Sequence, residues 1–348
     1  MGIAIPQVIT PSKASGAQVI DGSVGFTSES QTHLTRTPSS EGNRKTFTYS
    51  CWVKRDSLGD NPVNNKRLFS AQDTDAGSSS YSSIYFRGTG LTGQIEFLDY
   101  LSGTREGRMR TEGRPCRDTS GWYHVCVAVD YTDSTAKDRI KIYINGVRQG
   151  RDSAQDIDPD TTDQTFINST EEHNIGKQPT DTDKTQSGRL SQVYLIDGQA
   201  LGPEYFGFTD PLTNTWKPKK YVNTTASHGD AAGVVGFGTN GFYLPMDGNS
   251  PIGQDQSGQG NNYTPVNFGG SVALDSPLVS GARPILNTTQ GGAQAGVGVF
   301  GSKQNVGYAV TVYNDGGGNK YYIDGVKQDT VTGLIRGATY TFDTSDST

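Results

Sequence analysis

The chain has 348 residues, of which 32% are hydrophobic and 45 are glycine, with a formal net charge of −6. That length admits two domains or one large β domain with extensions, and so much glycine suits a fold with many tight turns. The acidic balance, with no Lys/Arg run, excludes a protein built to neutralise nucleic-acid phosphates, and no apolar run approaches membrane-spanning length.

Residues 1–20 read as an extended arm, because Pro6, Pro11 and small polar residues disfavour a helix. The opening MGIAIPQVITPSKASG lacks the basic start and apolar core of a signal peptide, and Pro6 breaks the myristoylation pattern. The expectation is a chain made in a cytoplasm, without membrane insertion. From residue 21 to about 222, strands and turns alternate. Strands are predicted at 23–27, 47–53, 67–71, 82–87, 94–99, 123–130, 139–145, 166–167 with 172–175, and 189–196.

The clearest pattern is WYHVCVAVDYTDSTAKDRIKIYINGVRQ at 122–149. Tyr123, Val125, Val127 and Val129 fall on one face of a strand, and Ile140, Ile142 and Ile144 on one face of the next. Asn145-Gly146 can both take positive φ and so suit a two-residue hairpin turn. A helical turn is expected after Pro203, within 201–206, and a further strand at 241–246. Glycine-rich residues 286–307 read as a linker. The tail at 308–348 holds three short alternating segments, AVTVYN, KYYIDGVKQ and GATYTFD. About 40 residues make a poor independent core. No Cys or His in that tail supplies a bridge or a typical zinc site, so it is expected to pack on another chain or element, or to be a truncated module.

Three cysteines leave at least one unpaired. Cys51 and Cys126 fall in predicted strands and read as small buried residues, whereas Cys116, after Pro115 in a loop, reads as exposed. His124 reads as a half-buried structural residue or, functionally, a base. Glu171-Glu172-His173 is either a metal or acid–base group or a solvated loop. Adjacent residues point to different faces of a strand, which favours the loop. There is no G-x-S-x-G elbow, P-loop or H-E-x-x-H motif. Glu96 and Asp99 have odd spacing, so they point to opposite faces and cannot share a hydrolytic site.

Asp156, Asp158 and Asp160 match the start of an EF-hand loop, but Thr161 and Ile167 replace its turn glycine and final glutamate. An irregular calcium site there, or at Asp247, Asn249 and Asp255, stands beside the reading of acidic solvated loops. Tyr81, Tyr85, Tyr100 and Tyr131, with Arg87, Arg105, Arg108 and Arg110, supply the chemistry of a shallow glycan site: aromatic faces stack on sugar rings and guanidinium groups bond hydroxyls. The alternative is that they are sheet residues, solvated arginines or contacts to a neighbouring subunit.

TFTYSCWVKR at 46–55, GWYHVCVAVD at 121–130, IKIYINGV at 140–147 and GRLSQVYLIDGQAL at 188–201 occur in an order that resembles laminin-G-like, concanavalin A-like domains. The resemblance implies an all-β jelly-roll sandwich of antiparallel sheets over about 21–285, flanked by the extended arm and a small C-terminal β segment. It also implies a rim calcium as the one cofactor to consider. LPMDGNSPIGQDQSGQGNN looks like the opening strand of such domains yet comes late here, so 241–246 is expected to complete the same sheet.

GAQVIDGS at 16–23, RTPSSEGNRKTFTYSCWVKR at 36–55, FTDPLTNTWKPKKY at 208–221 and NGFYLPMDGNSPIGQDQSGQGNNYT at 240–264 resemble structural proteins of marine tailed bacteriophages, including cyanophages. The tail resembles the first strands of a cupredoxin-like module without its metal-ligand stretch, so copper is not implied. Together these resemblances imply a non-enzymatic virion protein at the particle surface, fibre-like and binding host-surface polysaccharide. Its partners would be other virion proteins and copies of itself, a trimer if it is a fibre. A ligand-free capsid decoration or fibre component is the alternative, and a glycan-depolymerising enzyme the third class.

Overall fold

The computed structural model describes residues 17–268 except 19, 21, 59–64, 89–92, 182–183, 222–235 and 249, together with strand backbone at 308–314, 319–323, 326–327 and 342–343. The predicted linker and nearly all of the arm lie outside the described residues. In chain order the strands are β1 (Val24–Phe26), β2 (His33–Arg36), β3 (Thr46–Arg55), β4 (Lys66–Gln72), β5 (Tyr81–Phe86), β6 (Ile95–Leu101), β7 (Thr104–Arg110) and β8 (Tyr123–Asp130). They continue with β9 (Ile140–Ile144), β10 (Val147–Arg148), β11 (Glu172–Ile175), β12 (Gly188–Asp197), β13 (Gly207–Asp210), β14 (Thr215–Pro218), β15 (Phe242–Leu244) and β16 (Thr264–Val266).

Two seven-stranded antiparallel sheets face each other, which is the all-β sandwich that the alternation predicts. The first runs β1-β12-β3-β8-β9-β10, with β15 also paired to β12. The second runs β16-β2-β11-β4-β5-β6-β7. Their inner faces supply one core: Phe47, Tyr49, Cys51 and Val53 of β3, Val125, Val127 and Val129 of β8, and Ile140, Ile142 and Ile144 of β9 meet Phe69, Ile84, Phe86, Ile95, Phe97 and Met109 of the second sheet. Tyr49 stacks on Phe69 across the layers, ring centroids 5.1 Å apart. Each such side chain contributes about 1.5–3 kcal/mol by leaving water. Asn145 (φ 49) and Gly146 (φ 80) make the β9–β10 turn with both residues left-handed, as their identities predict.

The outer face of the first sheet carries a second cluster. Cys126, Tyr194 and Ile196 pack there beneath Leu201, Phe206, Tyr221, Phe237 and Tyr243. The 3-10 turn Pro203–Tyr205 starts this cover and the β13–β14 hairpin extends it. With both faces covered, β3 is buried almost continuously rather than on alternate residues.

After residue 240 the chain returns to add one strand to each layer. Phe242–Leu244 pairs with β12 in the first sheet, as expected, and β16 pairs with β2 in the second. Asp197 ties this return to the earlier loops. Its carboxylate accepts the backbone N–H of Asn43 (2.7 Å) and Asn240 (2.9 Å) and the Asn168 side-chain amide (3.1 Å).

Three expectations need correction. Residues 166–167 form no strand; both side chains are buried in a turn closed by Ser169 N–H on the Phe166 carbonyl. Cys116 is fully buried, not exposed, because its loop folds over Arg55, whose guanidinium donates to the Cys116 carbonyl at 2.7 Å. His173 lies in β11 and is buried rather than solvated, with Nε2 accepting the Asn168 N–H (2.9 Å) and Nδ1 donating to the Glu171 carbonyl (2.7 Å).

Residues 1–293 and 294–348 form separate compact units. In the second, β17 (Tyr308–Asn314) pairs antiparallel with β18 (Asn319–Ile323), which pairs with β19 (Val326–Lys327). β20 (Phe342–Asp343) runs parallel to β17.

Candidate functional site

The tyrosine–arginine group sits on the outer face of the second sheet, where strand alternation leaves it. Ile84 and Phe86 of β5 and Ile95 and Phe97 of β6 point into the core, so Tyr81 and Tyr85, and Glu96, Leu98 and Tyr100, point the other way. Register brings them together: Tyr81 opposes Tyr100, Tyr85 opposes Glu96, Glu96 opposes Arg110, and Tyr100 opposes Arg105.

The group divides into a buried base and an accessible end. In the base, the Glu96 carboxylate accepts the Tyr85 hydroxyl at 2.6 Å and Arg110 Nε at 2.8 Å, and Arg87 Nη1 lies 3.4 Å away. Tyr85, Glu96 and Arg110 are all buried, so Tyr85 presents no ring face to solvent. The Arg67 guanidinium lies over the Tyr85 ring, 4.0 Å from its centroid, and reaches Gln178 through Nε and Nη2. At the other end Tyr81 and Tyr100 are half-buried, ring centroids 5.4 Å apart, with exposed Arg105 5.9 Å from the Tyr100 ring. Arg108, half-buried, is held by the backbone and side-chain oxygens of Gln155. Tyr131 stands apart. It is wholly buried and its hydroxyl donates to Asp99 at 3.2 Å on the inner side of β6.

Two segments frame this face. Residues 151–157 run along the edge of β7, with Arg110 N–H on Asp156 at 2.8 Å and the Arg108–Ile157 bridge. Residues 177–180 close over β4, where Ser70 donates to the Lys177 carbonyl (2.7 Å) and Gln72 to Thr180 (2.5 Å). β5 and β6 lie between them. In this layer Arg67 Nη1, Gln72 Oε1, Arg87 Nε, Asn174 Oδ1 and Gln178 Nε2 are buried without a hydrogen-bond partner. Sequence reasoning missed Arg67, Gln72 and Gln178; nothing in their local spacing marks them.

The two acids of the hydrolase test point to opposite faces, as their odd spacing requires. Glu96 is locked in the outer network, and Asp99 faces inward to Ser82 (2.6 Å) and Tyr131. Burial pushes the Asp99 carboxyl up to about 7. His124 is fully buried, not half-buried. Ser50 Oγ lies 2.8 Å from its Nε2, and burial pushes its pKa down to about 3. His173, also buried, is pushed down to about 4.

Of the acidic calcium candidates, Asp156 and Asp158 both pair with Arg151, at 2.8 and 2.5 Å. The Asp160 N–H donates to Asp163 at 2.7 Å. Asp255 accepts the N–H groups of Tyr243, Ser257 and Asn261 at 2.8–2.9 Å, which shapes its own loop. Asp247 is engaged as well, and Asn249 lies outside the described residues. Among the described residues no three His, Cys, Asp or Glu side chains converge as a metal site. None of their helices is long and apolar enough to cross a membrane.

The family model described as the concanavalin A-like lectin/glucanases superfamily, Laminin_G_3, matches residues 28–204, and the chain belongs to that family. The fold of this family occurs in binding domains and in enzymes. No curated protein matches the chain. Among solved structures it is similar to the native heptameric SAP-like pentraxin of Limulus polyphemus, with 18% identity and a TM-score of 0.37, over 53% of this chain and 80% of that one. Mouse laminin alpha1 chain domains LG4-5 match at 11% identity and a TM-score of 0.33, over 59% of this chain and 48% of that one. The full-length tailspike protein 2 of Escherichia coli O157:H7 bacteriophage CAB120 matches at 11% identity and a TM-score of 0.38, over 56% of this chain and 24% of that one.

Proposed function

We propose that the chain is a non-enzymatic bacteriophage virion protein, fibre-like, whose sandwich recognises host-surface glycan through the accessible end of the tyrosine–arginine face. The observation that supports it is the Tyr81–Tyr100 pair with Arg105 beside it, two ring faces and a guanidinium carried on strands and fixed by a buried base. Rings stack on sugar C–H faces, and the arginine bonds hydroxyl or carboxylate oxygens. Rigid strands keep the ordering cost of such a site low. The buried polar atoms without partners in the same layer fit a polar ligand better than an apolar one.

The non-enzymatic reading draws on Glu96 and Asp99: one is held by tyrosine and arginine, the other faces the core. The phage assignment rests on the resemblance of residues 16–264 to virion proteins. In that reading residues 1–20 attach the chain to the particle, 21–285 are displayed on the virion surface, 286–307 tether, and 308–348 pack against another chain. Self-assembly, as a trimer for a fibre, accompanies it.

A glycan array probed with the full chain tests recognition. Binding that falls about tenfold in the Tyr100→Ala/Arg105→Ala variant supports it, and tenfold corresponds to about 1.4 kcal/mol, the scale of one aromatic contact. A purely structural decoration role is the second reading. It is favoured by the extent to which Tyr85, Glu96 and Arg110 satisfy one another, and it predicts no array signal and many copies per particle.

A further inference from the structure

The chain has three tryptophans, and all three line one cavity of about 280 Å³ on the outer side of the first sheet. Trp52 comes from β3, Trp122 from the approach to β8, and Trp216 from β14. None belongs to either hydrophobic cluster. The largest apolar side chains of the protein are thus placed around a cavity instead of filling a core, where each would contribute most by burial.

The convergence is built. The ring of His124, locked beneath by Ser50, lies 5.3 Å from Trp52 and 5.7 Å from Trp216, nearly parallel to the latter. Trp216 passes over two glycines: a Cβ at Gly146 or at Gly207 would collide with its indole. Its Nε1 is buried without a hydrogen-bond partner. Trp122 remains 37% exposed at the same cavity. Gly22, Ser23 and Lys217 add polar groups to the wall, and among the described residues Lys217 is the one charged side chain lining it.

We propose that this cavity is a binding subsite for a single neutral pyranose ring. Indole faces receive the C–H face of a sugar, while the Ser23 hydroxyl, the Lys217 ammonium and backbone groups of Gly22 bond its hydroxyls. The volume, about 280 Å³, lies just below the roughly 300–1,000 Å³ usual for ligand cavities, so it suits one ring rather than an extended oligosaccharide. A wholly apolar ligand would leave Lys217 and Ser23 without partners, and a strongly anionic one would meet a single cation. The subsite is on the opposite sheet from the tyrosine–arginine face and does not rest on it.

Because every tryptophan lines the cavity, intrinsic tryptophan fluorescence of the full chain reports this site alone. The probes are methyl α-glucopyranoside, methyl β-galactopyranoside, methyl α-mannopyranoside and N-acetylglucosamine. The expected result is a saturable change with at least one of them, with a midpoint of about 1 mM, typical of a single small polar ligand. The same sugar should give saturation-transfer NMR signals that Trp122→Ala removes, Trp122→Phe largely restores and Tyr100→Ala leaves intact. No saturable change with any of the four, or signals that survive Trp122→Ala, would overturn the subsite. Loss of array binding in the Tyr100→Ala/Arg105→Ala variant with the fluorescence response retained supports both sites as separate. Fluorescence response without any array signal sinks the tyrosine–arginine site alone.

Discussion

The two deeply buried histidines should make this sandwich acid-labile in a calculable way. His124 and His173 are neutral in the folded chain because burial lowers their pKa values to about 3 and about 4, from 6.5 when exposed. In the unfolded chain both take up a proton as the pH drops below 6.5. Their contribution is therefore fully present above about pH 6.5 and is lost progressively as the pH falls towards the folded values. Each pH unit in that window costs about 1.4 kcal/mol per histidine. At pH 5 the pair removes about 4 kcal/mol, a large share of the roughly 5–15 kcal/mol that holds a domain together. The assay is urea denaturation of wild type and His124→Gln from pH 7 to pH 4. Glutamine keeps an acceptor for Ser50 and does not titrate. Loss of the ring contacts to Trp52 and Trp216 shifts the variant's curve bodily, but only the missing proton changes its slope. The difference between the two curves should slope by about 1.4 kcal/mol per pH unit below 6.5. Parallel curves would refute the argument that His124 is held neutral by burial.

Asp99 predicts the opposite dependence. Its carboxyl, raised to about 7 from 3.8, favours the protonated folded form, so its contribution is present below about pH 4 and drains as the pH rises to 7. Asp99→Asn should then be the more stable protein at pH 8, by up to about 4 kcal/mol, with the gap closing by pH 4; a constant gap in denaturation midpoints would count against it. Asp197→Ala removes the acceptor shared by Asn43, Asn168 and Asn240, and a loss of about 2–4 kcal/mol is expected in the same assay, against no change if those loops hold without it. Gly188→Ala puts a Cβ against the Lys54 carbonyl at φ +136, so soluble expression should collapse; a folded variant would show that β12 can shift its register against β3. Chelation with EDTA should leave Tm unchanged, since Arg151 already occupies Asp156 and Asp158; a lowered Tm would point to a calcium site.

Most of the core strands could be read from the chain, because β8 and β9 carry period-two aliphatic patterns that mark the face turned to the core, even though the other face of β8 is buried too. What escaped notice is polar. TREGRMR in β7 has only Met109 to mark its inner face, since its outer side belongs to the arginine layer. HLTR and EHNI, in β2 and β11, each carry one core aliphatic, Leu34 and Ile175, and their buried histidines are held by hydrogen bonds to turn carbonyls, so neither segment shows a period-two apolar pattern. Cys116 looked exposed because nothing local announces that its loop closes over Arg55. The tyrosine–arginine group was visible as a composition, but its division into a buried base and an open end depends on register: which residue faces Glu96 is decided by pairing across three strands. The tryptophans lie far apart in sequence, and only the β13–β14 cover brings Trp216 to Trp52.

The most direct test of a surface that holds sugar without cleaving it is a single incubation of the full chain with a panel of bacterial surface polysaccharides, read both for bound protein and for new reducing ends. Protein should leave solution with at least one polymer, the Tyr100→Ala/Arg105→Ala variant should do so far less, and reducing ends should stay at background. Accumulating reducing ends, or equal retention of the variant, would contradict that reading of the surface.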